Sequence, residues 1–513
     1  MASIQLLHQF NGYTPGFHDF GAVENARLVA LGLARSWTVE ADGGQSFDDT
    51  LTSTEVAATR ALVSGARISS DRFCLASFGD SINSQDLPAA VAAGGTVSDA
   101  GSAGVSPLLW TNALCAGAFD YGLPLVTALM MDNGSGAISR NVANGIVGFS
   151  GGLVRQALKN SIDAYIPILN THTGGRRAVV MLSGGINDIS NTDTAGYGDL
   201  VWADLLTVID KLVAAGHVPL LKCNEASVNI NTATKRKNAR RLADLVLSYA
   251  AANRTTVRAI DCGALLREFS GGQSLERLTR GSTGDEVHPN ANLAAIYGIG
   301  YARALSDAFI MCPPWERADF SGTSIHSNPY LTGTTGTKGT NCNVAAEVPT
   351  GFTLNSFGTN TTVNCTQEAA YDGPGSGVLV DASCTGAPTQ DSVALSTNSN
   401  PTTVAGVTYR AWVDMTIIQA DYVRQFTPQL RSSASGSPQR AFPSTGSTDA
   451  RDMTADTPNA PKLMEKRRIV FSSFPEVWEA AAQGGISGIG CYGLTSASSR
   501  FRAFIRFVGV FAE

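Results

Sequence analysis

The chain is short of charge and very short of histidine. Only 16% of its 513 residues are Asp, Glu, Lys or Arg, and only six are His. Acidic residues outnumber basic ones 43 to 37, giving a net charge of -6. No basic cluster stands against that balance, so no nucleic-acid partner is expected. Arg176-Arg177 and Arg240-Arg241 read as solvated surface. The nine cysteines are odd in number and lack any C-x-x-C or His/Cys ligand spacing. That argues against a zinc site and a disulfide framework. Cys74, Cys223 and Cys262 lie in apolar strand patterns as buried thiols, while one disulfide among Cys342, Cys365 and Cys384 is conceivable. No apolar run reaches membrane-spanning length, the best candidate being residues 123–131. The start, Met1 to Asn11, lacks the basic beginning and long apolar stretch of a signal peptide. The expectation is a protein that acts inside the cell or leaves by a route other than signal-directed secretion. No repeat of 20–50 residues is evident.

Composition changes twice along the chain. Residues 1–66 form a small leading unit with two helical patterns, one after Glu24 carrying Leu28, Val29, Leu31 and Leu33, the other over 55–63. Residues 67–311 alternate apolar runs with helical patterns. The runs are 73–78, 123–130, 178–182, 218–222 and 257–261; the helical patterns are 107–119, 153–166, 200–215, 235–251 and 291–309. Such alternation predicts an α/β unit, with a parallel sheet covered on both sides. Ligands on such sheets bind outside the carboxyl ends of the strands.

From residue 312 to 513 the helices stop, and Gly, Ser, Thr and Asn dominate. Period-two alternation over 407–418 puts Tyr409, Ala411, Val413, Met415 and Ile417 on one face and Arg410, Trp412, Asp414 and Thr416 on the other. Residues 466–471 and 500–510 are further strand candidates, and 432–461 reads as a long loop. A β-sandwich is the expected architecture. Trp412, on the polar face, is a candidate for stacking on a sugar ring; packing under a loop is the commoner use of such a residue.

Three short words carry the chemistry: Gly79-Asp80-Ser81-Ile82, Gly185-Ile186-Asn187-Asp188 and Asp285-Glu286-Val287-His288. A Gly-Asp-Ser alone arises by chance in on the order of one in ten chains this long. The ordered set is far more specific. Ser81 follows a strand end and needs a base to become a nucleophile. Of the six histidines, His288 lies before the last helical pattern at a strand's carboxyl side. Asp285, three residues earlier, can fix its tautomer and stabilise the imidazolium. Asn187 directly follows the run 178–182, and Gly145 to Gly151 is read as opening a helix; both can donate to an oxyanion. Asp80 and Asp188 read as structural, capping helices or tying loops.

With these residues in place, 67–311 resembles the SGNH (GDSL-type) hydrolases, flavodoxin-like α/β/α esterases, lipases, thioesterases and carbohydrate deacetylases. The family's blocks match Gly79 to Ser81, Asn144 to Gly148, Gly185 to Asp188, and Asp285 to Pro289. The first block has Ile82 where Leu is commoner. The second is the loosest match, and Gly145 or Gly151 can take the role of Gly148. The resemblance implies Ser81 as nucleophile, His288 as base, Asp285 as its support, and Ser81, Gly148 and Asn187 as oxyanion donors, with no cofactor and no metal. The stretch 24–34 is similar to small segments of bacteriophage structural proteins, and 333–352 to carbohydrate-binding sandwiches. Together these imply an enzyme of a virion tail, assembled in the host cytoplasm, that removes O-acetyl groups from a surface polysaccharide. Residues 1–66 would then contact other tail proteins, and residues 312–513 would bind glycan or trimerise. A lipase or acyl-thioesterase, with an apolar groove lined by Leu108, Leu109, Trp110 and Leu114, and a non-catalytic receptor-binding tail protein are the alternatives. A cytoplasmic or signal-independently exported protein is the other location.

Overall fold

In the computed structural model, the strand Phe73–Asp80 is buried along its whole length, as a central strand covered on both faces must be. The structure describes residues 73–80, 107–120, 146–149, 151–223, 229–261, 291–306, 308–316, 322–369, 376–386, 391–397, 403–430, 460–472, 486–494 and 496–512, with short strands at 3–6, 16–18, 34–39, 45–46, 68–69, 127–132, 137–142, 267–270, 273–276 and 476–477. These fall into two compact units, Met1–Ile68 and Ser69–Glu513. The described part of the first is a small antiparallel sheet of Ser3–Leu6, Gly16–His18, Ala34–Val39 and Gln45–Ser46. The helical patterns expected at 24–33 and 55–63 lie outside the described residues.

The second unit contains a parallel sheet of β1 (Phe73–Asp80), β2 (Ile146–Phe149), β3 (Arg177–Ser183), β4 (Val218–Lys222) and β5 (Arg258–Ile260). Their order is β5-β4-β3-β1-β2, the flavodoxin-like 2-1-3-4-5 arrangement, whose switch point lies between β1 and β3. The helices are α1 (Pro107–Leu114), α2 (Lys159–His172), α3 (Ile186–Ser190), α4 (Tyr197–Ala214), α5 (Ala233–Ala252) and α6 (Ala291–Ser306). Alternation along β1 sends Cys74, Ala76 and Phe78 to one face. There they share a core with Ile162, Tyr165 and Leu169 of α2 and Leu205, Val208, Ile209 and Leu212 of α4. Each such buried aliphatic or aromatic side chain contributes about 1.5–3 kcal/mol. On α1, Trp110 is fully buried. It lies so close to Gly298 of α6 that a Cβ there would sit 2.4 Å from the Trp110 Cβ.

The strand expected at 123–130 is different. Thr127–Asp132 pairs antiparallel with Ala137–Val142 in a two-stranded ribbon of its own. Ile146–Phe149 takes the sheet edge beside β1 instead. The Asn133-Gly134 pair between the two runs is a hairpin signal, and it outweighs the apolar character of the first run. The same finding corrects the reading of 145–151 as a helix opening: Gly148 lies within a strand, and the helical turns begin only at Val154.

Residues after 312 form the expected sandwich. One sheet orders Thr337–Lys338, Phe352–Phe357, Asp391–Thr397, Ile486–Leu494 and Val423–Leu430; the other orders Thr361–Ala369, Ser376–Cys384, Arg500–Ala512, Thr408–Asp421 and Arg467–Ser472. Val413, Met415 and Ile417 enter the inter-sheet core, as the alternation predicts. The opposite face of Thr408–Asp421 is not solvated: Arg410, Trp412, Asp414 and Thr416 are all buried. Much of it meets the α/β layers. The Trp412 ring lies against Gly117, where a Cβ would fall 2.6 Å from it, and Trp110 meets Phe471 edge-on at 5.8 Å. Arg410 Nη2 pairs with Asp120 Oδ1 at 3.2 Å, and Asp120 Oδ2 with Arg176 Nη2 at 2.8 Å. Residues 432–459 of the expected long loop lie outside the described residues. Cys342, Cys365 and Cys384 are free thiols, so the conceivable disulfide among them is not formed. Cys342 Sγ–H donates to the Leu354 carbonyl at 3.0 Å, and Cys365 is buried in the sandwich core.

Candidate functional site at the carboxyl edge of the parallel sheet

The register of three adjacent strands brings the conspicuous motifs together. Gly79 of β1 stands beside Ser183 of β3 on one side and Gly148 of β2 on the other, and Asp80 stands beside Phe149. Asp80 is the last residue of β1, at the carboxyl edge, and Ser81 follows it in sequence. Beyond β3, Gly185 caps α3 at φ +104°, a value that L side chains rarely adopt. This sharp turn places Asn187 in the first turn of α3, at the switch point. Ser81, Asp285 and His288 themselves lie outside the described residues, so their roles stay with the motif.

The Asn187 amide donates through Nδ2 to the Gly152 carbonyl at 3.1 Å. Its neighbour Asp188 is buried and accepts from the Val154 N–H, at 3.0 Å to Oδ2 and 3.2 Å to Oδ1. Two consecutive residues of α3 therefore bind the turn that follows β2. Burial pushes the Asp188 carboxyl up to about 6, with the Val154 N–H opposing and the charges of Asp80 and Asp204 adding to the rise. Asp80 is equally buried and receives a long 3.5 Å contact from Ser183 Oγ. Gly184 permits the close approach: a Cβ there would fall 2.9 Å from Val154 Cγ2 and 3.0 Å from Leu158 Cδ2. Sequence reading anticipated that Asp188 ties a loop but missed the partner. The Gly151-Gly152 pair just before a helical pattern was the available signal. Of the glycines weighed as oxyanion donors, Gly148 is within β2, Gly151 is exposed at φ +67° beyond it, and Gly145 lies outside the described residues.

Three other histidines are accounted for elsewhere. His217 precedes β4 at the opposite, amino edge. Its Nδ1 accepts from the Ala178 N–H at 3.1 Å, so Nε2 carries the proton toward Asn170 Oδ1, also at 3.1 Å. Burial lowers it to about 4, which keeps it neutral. His172 ends α2 at the same amino edge. His326 lies in the later region, tilted against Phe352. Burial also raises the Cys74 and Cys365 thiols to about 12, leaving them inert as nucleophiles. Among the described residues, no group of three His, Cys, Asp or Glu side chains is arranged to hold a metal.

Trp412 is not placed as a sugar platform. It is 5% exposed, with Trp315 edge-on at 6.0 Å and Gly117 beneath it, so its faces are covered by protein.

No protein-family model matches the chain, and no curated protein matches it. Several solved structures are partly similar. One is of carbohydrate-binding modules from the β-sandwich superfamily, 16% identical, covering 31% of this chain, with a TM-score of 0.22; this chain spans 56%, little over half, of its length. Phospholipase A1 from Streptomyces albidoflavus NA297 is 16% identical over 46% of this chain and 98% of its own, with a TM-score of 0.27. The enzymatically active domain of tailspike protein 4 of bacteriophage CBA120 is 9% identical over 32% of this chain and 20% of its own, with a TM-score of 0.20.

Proposed function

We propose that residues 67–311 form a serine ester hydrolase. Ser81 attacks the ester carbonyl while His288 accepts its proton, and Asp285 stabilises the imidazolium that results. The oxyanion is received by Asn187 and by the N–H groups of Ser81 and Gly148. His288 then protonates the departing alkoxide, and a water molecule activated in the same way releases the acid. The observation that supports this most directly is the register of β2, β1 and β3. Gly79 and Asp80 end β1, and the Gly-x-Asn-Asp word follows the end of the adjacent strand β3, at the carboxyl side of the switch point. The test is hydrolysis of 4-nitrophenyl acetate. Ser81→Ala and His288→Ala should each lower kcat by several orders of magnitude with little additivity. Retention of more than about a tenth of wild-type kcat by either variant would refute the assignment.

The substrate reading is an O-acetylated surface polysaccharide, with the enzyme carried on a virion tail and residues 1–66 as its attachment. A short acyl group is favoured over a long one by one observation. Leu108 and Trp110, which a lipase groove would expose, are fully buried in packing. Release of acetate from intact polysaccharide, with little activity on long-chain nitrophenyl esters, is the expected result.

A further inference from the structure

We propose that Asp188 is a positioning residue for Asn187, holding the turn after β2 in the place that aims the Asn187 amide. The inference rests on the ester-hydrolase reading above. An amide nitrogen has two N–H bonds. That of Asn187 gives one to the Gly152 carbonyl at 3.1 Å, and this contact fixes the plane of the amide and hence the direction of the second, the one an oxyanion would take. The Gly152 carbonyl is therefore the aiming point, and it must itself be held. Two residues on, the Val154 N–H is gripped by both Asp188 oxygens, at 3.0 and 3.2 Å. The two contacts run in opposite directions between the same two segments, so neither can slide without breaking the other. Gly184 leaves little slack from the strand side, since a Cβ there would stand only 2.9 Å from Val154 Cγ2 and 3.0 Å from Leu158 Cδ2.

The cost of this arrangement supports a purpose beyond packing. Asp188 is 4% exposed, faces the like charges of Asp80 and Asp204, and is pushed up to about 6 by its burial. The nearby cations Arg155 and Lys159 are both committed to Asp204. A residue that only filled space would be better uncharged. Catalytic donors lose most of their value when misplaced by about 1 Å, where losses near 10²-fold are known.

The experiment is a mutant cycle on 4-nitrophenyl acetate, with kcat referred to the folded fraction measured by circular dichroism. Asp188→Ala should lower kcat roughly 10–100-fold with KM nearly unchanged. Asn187→Ala should lower it roughly 10²–10³-fold. The double variant should be no worse than Asn187→Ala alone, because Asp188 acts through that amide. Asp188→Asn, which keeps an acceptor for the Val154 N–H, should restore kcat to within about threefold of wild type. Gly184→Ala leaves Asp188 in place but presses on Val154, and should reproduce the non-additive kcat loss if Asp188→Ala does not fold. Wild-type kcat in folded Asp188→Ala or Gly184→Ala, or losses that multiply with Asn187→Ala, would overturn the proposal. Ser81→Ala, run alongside, separates the two levels. If it stays active, the hydrolase reading falls; if it is dead while Asp188→Ala is fully active, only the positioning role falls.

Discussion

Trp412→Ala separates a buried seam residue from a sugar-binding one. The ring is 5% exposed, rests against Gly117, meets Trp315 at 6.0 Å and has the Arg410 guanidinium 5.8 Å from its centroid. Removing a buried Trp side chain costs about 3–5 kcal/mol. Loss of the cation–π contact accounts for roughly 1 kcal/mol of that. Against a total stability of about 5–15 kcal/mol this is a large fraction. At roughly 1 °C per kcal/mol for a unit of this size, Tm should fall by about 3–5 °C. Differential scanning calorimetry reads that fall directly. Because the ring bridges the sandwich and the α/β layers within one compact unit, the transition should move as a whole rather than split. Polysaccharide binding per folded molecule should be unchanged, measured by cosedimentation below the transition. An unaltered Tm with lost polymer binding would refute the argument and return Trp412 to the role of a stacking platform.

Gly117→Ala should also destabilise, by roughly 1–3 kcal/mol, since Gly117 lies at φ +66° and a Cβ would collide with Trp412; urea melts of a double variant with Trp412→Ala should show the steric part relieved. Asp188 in the folded protein holds its proton more tightly than the unfolded chain does, so its contribution is full below pH 3.8 and lost as pH rises through about 6. Asp188→Asn should therefore raise stability at pH 8, by up to roughly 3 kcal/mol, and not at pH 4, as read from urea midpoints at the two pH values. His217 runs the other way: its contribution is full above pH 6.5 and lost as pH falls through about 4. The acid melting profile of a His217→Gln variant should accordingly be flatter between those values than that of wild type.

The α/β half was legible because its signals are local. Runs at 178–182 and 218–222 became β3 and β4 with boundaries shifted by at most one residue. The apolar stripe of Leu205, Val208, Ile209 and Leu212 faces the core as spaced. The edge strand was misread because an apolar run carries no information about which partner it takes. Residues 127–132 had a hairpin partner ten residues away, and closing so short a loop costs less entropy than joining the parallel sheet. Trp412 failed for a related reason. Alternation along Thr408–Asp421 correctly separates two faces, but it cannot say whether the second face meets water or another layer. Arg410 and Asp414 looked like solvent markers. They are buried because Asp120, Arg468 and Arg506 supply their charge partners from other elements, and such pairing lies far apart in sequence.

At the carboxyl edge the same distinction decides what could be read. The Gly-x-Asn-Asp word announced a turn and an amide donor, because a glycine at positive φ and a short polar helix start are properties of four consecutive residues. What holds that amide was not in the word. Gly152 and Val154 lie some thirty residues before Asn187 and Asp188, on the far side of β3 in sequence. Only the register of β2 beside β1 and of β1 beside β3 brings them together. The sandwich, by contrast, joins the α/β layers through Asp120 and Arg176 at the amino edge, where Phe73 and Arg177 begin their strands. β1 rises about 3.3 Å per residue over its eight residues, so that seam and the candidate site are held at opposite ends of one rigid strand. A substitution confined to the seam should therefore lower Tm without altering KM for a small ester. Asp188→Ala, which removes the acceptor for the Val154 N–H, should lower kcat even where Tm is restored by a compensating change.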